Sequence, residues 1–132
     1  MTNRRKPLHA NAYRSAFLRS RAWFARRDEW FAEQSLVLHP LVCAGCGRPA
    51  SKRDLELHHL DYARVHQTDD GRWVARERHA DLVPMHPYCH ELLHRLIDRD
   101  AVLSRHRTRR AASEIALKAL RRKLQALNGT AS

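Results

Sequence analysis

From Asn11 to about Ser35 the residues Tyr13, Phe17, Trp23, Phe24, Trp30 and Phe31 recur at helical spacings, and Ser20 stands where an N-cap would divide two helices. The pattern then shortens. Past Pro40, the stretch Cys43-Ala44-Gly45-Cys46-Gly47 has the glycines that a tight, thiol-converging turn needs. Asp54 to Leu60 alternates Leu55 and Leu57 with polar residues and predicts a short strand, Asp69-Asp70-Gly71 marks a turn, and Leu82 to Met85 predicts a second strand. Pro87 is placed to open a helix with Leu92, Leu93, Leu96 and Ile97 on one face, ending near Arg99. After a basic stretch at Arg105 to Arg110, Leu117, Leu120, Leu124 and Leu127 predict an amphipathic helix with Gly129 at its C-cap. That leucine stripe either packs on its own chain or joins two chains in a homodimer.

These elements predict an α+β fold in which short strands and one helix form a core over residues 41–98. Leading helices (11–35) and a basic segment with a terminal helix (99–132) flank it. At 132 residues the chain suits a single domain over 11–132, and Arg4, Arg5 and Lys6 make residues 1–10 a flexible basic tail. The formal net charge of +11 favours a polyanionic partner, nucleic acid first. No apolar run is long enough for a membrane span, so no membrane partner is expected. Three cysteines, an odd number, suit metal binding in the reducing cytoplasm better than a disulfide framework.

Two short ligand pairs stand far apart in the chain, Cys43-x-x-Cys46 and His86-x-x-Cys89. Their spacing predicts a closed Cys3His structural zinc site that staples distant segments of a small domain. His66, His79 or His90 are alternatives to His86 as fourth ligand, and the x-x-Cys spacing favours His86.

A second constellation follows from the other histidines. His58 and His59 end the first strand, and His90 and His94, four apart on the helix, share a face able to grip one cation. The segments Leu55-Glu56-Leu57-His58-His59, Asp81-Leu82-Val83-Pro84-Met85-His86 and Cys89-His90-Glu91-Leu92-Leu93-His94 together resemble the HNH endonuclease motif. The resemblance covers about residues 41–98 and implies a ββα-metal finger with a zinc knuckle.

Carried over by position, the resemblance makes His59 the general base and His58, His90 and His94 the ligands of a catalytic divalent cation. That cation is Mg²⁺ or another such as Mn²⁺, Ni²⁺ or Zn²⁺. Glu56 takes an orienting role toward an Arg or a ligand. The implied reaction is hydrolysis of DNA phosphodiester bonds, duplex DNA included, to 5′-phosphate and 3′-hydroxyl ends. Asp81 departs from the motif, standing where the family has its Asn. It is expected either to accept a hydrogen bond that fixes the loop or base, to add a hard oxygen ligand, or to mark a catalytically inactive zinc module that binds nucleic acid. Arg26, Arg27, Arg105, Arg107, Arg109 and Arg110 are expected to contact phosphates.

Overall fold

A computed structural model describes residues 11–130, so the basic tail expected at 1–10 lies outside the described residues. Helix α1 (Asn11–Leu18) leads into α2 (Arg21–Val37), and Ser20 divides them as expected: its backbone is extended and its Oγ accepts the Trp23 N–H at 3.1 Å. One face of α2 buries Trp23, Arg26, Trp30 and Phe31 at spacings of three, four and one. Phe24 points outward and is half exposed.

Strands β1 (Leu41–Val42) and β2 (Pro49–Ala50) pair antiparallel and frame the Cys-x-x-Cys turn. Gly47 closes that turn at φ +77°, a left-handed conformation that glycine adopts without a Cβ clash. The Ala44 N–H donates to Pro84 O at 2.7 Å, docking the turn on a later strand.

That later strand is β6 (Leu82–Met85), which pairs antiparallel with β3 (Glu56–His59) and sets His58 opposite Val83 and His59 opposite Leu82. Between them lies a hairpin that the residue pattern did not reveal, β4 (Val65–Gln67) with β5 (Trp73–Ala75). Its turn is the expected one, with Gly71 at φ +87°. Helix α3 (Pro87–Arg99) starts with Pro at its first position, where the missing N–H leaves no intrahelical bond unmade. Asp100 then caps α4 (Ala101–Arg105) by accepting the N–H groups of Val102 and Leu103.

The last helix, α5 (Arg109–Thr130), begins inside the basic stretch and runs through Gly129, so the expected cap at Gly129 is not its terminus. Its stripe turns inward: Leu117 and Leu120 are buried, Leu124 is partly buried, and Leu127 is exposed. Helix α5 packs on α3, and one cluster of buried side chains joins Phe17, Trp30, Leu57, Met85, Leu93 and Leu120. The architecture is therefore α+β, with three two-stranded ribbons among five helices in the described residues. None of these helices is long and apolar enough to cross a membrane.

Candidate metal centres and an adjacent buried histidine

The first cluster joins the β1–β2 turn to the start of α3. Cys43, Cys46, His86 and Cys89 each present a ligand atom, all within 4.8 Å of one another. Zinc bonds of about 2.3 Å to sulfur in a tetrahedron put sulfurs about 3.8 Å apart, so a small contraction of this group would seat the ion. The three thiols are free of disulfides. Burial pushes the Cys43 thiol up, but N–H groups of His86, Cys46 and Gly45 outweigh it and bring the pKa down to about 7. Burial, with Cys43 and Cys46 beside it, pushes Cys89 up to about 12. Such a set of sulfurs calls for a cation to hold them together as thiolates. The alternative fourth ligands lie elsewhere: His66 is exposed on β4, His79 stacks on Trp30, and His90 belongs to the second cluster.

The second cluster gathers His58, His90 and His94. His58 Nδ1 lies 3.2 Å from His90 Nε2, which lies 3.0 Å from His94 Nε2. Two nitrogens bound to one cation at about 2.1 Å sit roughly 3.0–3.4 Å apart, so these rings stand close to ligating geometry. The outer nitrogens are also held. His58 Nε2 is 2.9 Å from Ser113 Oγ, and His90 Nδ1 is 2.9 Å from Glu56 Oε1. Such partners fix ring orientation and tautomer in metal sites. Burial drives the His58 pKa well down, helped by Arg109, His90 and His94, while burial and His90 bring His94 down to about 4. Neutral imidazole, the form that ligates metal, is thus favoured at both positions.

His59 points to the other side of β3, as the alternation of a strand requires. Its ring lies in a wall of aromatic groups, stacked on Tyr62 at 4.2 Å and close to Trp23 at 4.6 Å, and the residue is 2% exposed. His59 Nε2 is 2.6 Å from Glu77 Oε2, a residue that nothing in the sequence pattern singled out. Burial lowers the His59 pKa, and Glu77 only partly restores it. Tyr62 in turn lies beneath two guanidinium groups, Arg109 at 4.7 Å and Arg14 at 5.9 Å from its ring centre.

Asp81 joins neither ligand cluster. Its carboxylate accepts the Arg78 N–H at 2.9 Å and pairs with Arg78 and Arg110, while its carbonyl accepts the Leu60 N–H at 2.8 Å. It therefore clamps the turn that precedes β6 to the end of β3.

The arginines fall into two groups. Arg26 is buried, with Nε donating to Glu77 O at 2.8 Å and Nη1 to Glu29, and Arg27 lies over the Phe31 ring with a contact to Leu55 O. These two serve the fold. Arg105 and Arg107 are exposed, Arg110 is engaged by Asp81 and Asp61, and Arg109 donates to His59 O at 2.9 Å beside the histidine cluster.

No family model matches the chain, and no solved structure matches it. Several curated proteins do. Proteins named "Putative HNH nuclease YajD" from Escherichia coli strain K12 and Shigella flexneri are 31% identical over 51 residues, and one from Salmonella typhimurium strain LT2 is 33% identical over the same length. The similarity covers 36% of this chain and 44% of each relative, so the chain spans less than half the length of the curated relatives it matches. It is a distant likeness to proteins of nuclease name.

Proposed function

We propose that the chain is a metal-dependent endonuclease of the HNH type, with β3, β6 and α3 as its ββα-metal finger and residues 11–132 as one domain. The observation that carries this reading is the convergence of His58, His90 and His94, from a strand and a helix, on one point. The Cys3His cluster takes structural zinc. The histidine cluster takes Mg²⁺ or another divalent cation such as Mn²⁺, Ni²⁺ or Zn²⁺.

In this reading DNA, preferably duplex, is drawn in by the basic surface, and its phosphates meet Arg105 and Arg107 at the α4–α5 turn. Arg14 and Arg109, flanking Tyr62, bring a phosphate alongside His59. Neutral His59 accepts a proton from water, and the water oxygen bonds to phosphorus. The bond from phosphorus to the 3′ oxygen breaks, its electron pair stays on that oxygen, and a proton from solvent completes the 3′-hydroxyl beside a 5′-phosphate. A bound divalent cation would supply polarisation of the phosphate and neutralisation of the leaving oxygen. Glu56 and Ser113 hold His90 and His58 in orientation for it. The inward stripe of α5 favours a monomer, and the free thiols favour the cytoplasm.

Nicking of supercoiled plasmid with Mg²⁺, Mn²⁺ or Ni²⁺, abolished in His59→Ala, is the test. A single observation favours a second reading, a silent zinc module that binds nucleic acid: His59 is only 2% exposed. Plasmid binding without nicking under every cation would select that reading.

A further inference from the structure

Glu77 is the residue whose position the fold explains least and chemistry explains best. Its side chain is fully buried, and its contact with His59 Nε2 at 2.6 Å is shielded from solvent. Among the described residues, Glu77 Oε1 is the one buried side-chain nitrogen or oxygen with no hydrogen-bond partner. A buried carboxylate with an unmade hydrogen bond destabilises a fold, and apolar replacement of buried ion pairs is often neutral or stabilising. Packing alone gives no reason to put a glutamate there.

The surrounding chain fixes it nonetheless. Arg26, buried on α2, donates Nε to Glu77 O at 2.8 Å, and Trp30 one turn later donates Nε1 to His79 O at 2.9 Å. Two side chains of one helix thus hold the backbone of the segment that carries Glu77. From the other end, Arg109 fixes the His59 carbonyl and Tyr62 stacks on the His59 ring.

We infer that Glu77 is a positioning residue for His59, accepting the Nε2 proton and thereby leaving the Nδ1 lone pair as the base. A carboxylate without a proton can only accept, which puts the hydrogen on Nε2 and, in a neutral imidazole, the lone pair on Nδ1. The side-chain hydrogen bond of His59 to Glu77 runs through Nε2. As water gives its proton to Nδ1, the imidazolium forms against a buried carboxylate already in place. The inference rests on the reading of His59 as general base.

The test uses the full zinc-loaded chain labelled with ¹⁵N in histidine. Long-range ¹⁵N–¹H spectra at about pH 8, where imidazole is neutral, should show His59 with Nε2 protonated and Nδ1 bare. His59→Gln assigns the signals, and the opposite tautomer in wild type would overturn the inference without any variant of Glu77. Glu77→Gln, which can donate its amide to Nε2 and reverse the tautomer, should lower kcat for plasmid nicking by about 100-fold or more. KM for plasmid and cation affinity should stay within about twofold, because Glu77 touches neither. Glu77→Asp should recover part of the loss, and Glu77→Gln should add nothing in a His59→Ala background. Wild-type kcat in Glu77→Gln, or equal changes in kcat and cation affinity, would overturn the role of Glu77 with the nuclease reading intact. A wild-type chain inactive under every cation would instead bring down the nuclease reading, and this inference with it.

Discussion

Ser113, buried on α5, lies 2.9 Å from His58 Nε2 and turns the opposite nitrogen of that ring toward His90. A hydroxyl 55 residues away in the chain thus decides which face of His58 meets a cation. Ser113→Ala is expected to weaken Mn²⁺ or Ni²⁺ affinity at the histidine cluster by about 10–100-fold, measured by calorimetry, while leaving zinc content unchanged. Unaltered affinity would mean that packing alone orients the ring.

Zinc content gives a second prediction. One equivalent of tightly held zinc is expected in wild type, and none in Cys89→Ser. Because Cys89 lies in the first turn of α3 and Cys43 directly follows β1, losing the ion frees two parts of the core. Strong chelation should therefore abolish cooperative melting followed by circular dichroism. A cooperative melt that survives full zinc removal would refute a structural role.

Acid should destabilise the protein with its histidine cluster free of cation. His58, His59 and His94 all have pKa values below the ordinary imidazole value of 6.5, chiefly through burial, with His94 at about 4. Between the folded and unfolded values the unfolded chain binds protons that the folded chain refuses. Stability is therefore complete above about pH 6.5 and falls as pH drops toward 4. Urea midpoints between pH 7.5 and 4.5, compared with His94→Gln, would check this, the variant showing a shallower decline.

Asp81→Asn would restore the residue of the motif that Asp81 replaces, yet it is expected to harm the fold. The substitution removes the charge that Arg78 and Arg110 share and turns one acceptor into a donor facing them. A loss of about 1–3 kcal/mol in urea unfolding is expected. Unchanged stability would show that the carboxylate does not clamp the turn.

DNA affinity should depend steeply on salt. Six neutralised phosphates give a slope of log K against log salt of roughly −5, and removing Arg105 and Arg107 together should make it shallower by about 2. Both are exposed at the α4–α5 turn. A slope near zero in wild type would exclude phosphate-driven binding.

The two candidate ligand clusters were legible because their members stand at short spacings. His90 and His94 share a helical face wherever α3 packs, and Pro87 and Ser20 announce their helices through backbone chemistry that tertiary contacts do not overrule. Glu77 was not legible. Arg76-Glu77-Arg78 reads as a solvated charged loop, and only the packing of α2 against β5 carries Glu77 to a histidine 18 residues earlier. Arg26 misled for the same reason: its place in a basic run hid that it lies on the buried face with Trp23 and Trp30. The β4–β5 hairpin escaped because strands of three residues are too short to display alternation.

Helix α5 reaches both clusters, through Ser113 to His58 and through Arg121, whose Nε donates to the Ala44 carbonyl at 2.9 Å. The 41–98 segment is therefore not a portable cassette. Grafted into another scaffold without the last helix, it would carry every candidate ligand and lack the braces that aim them.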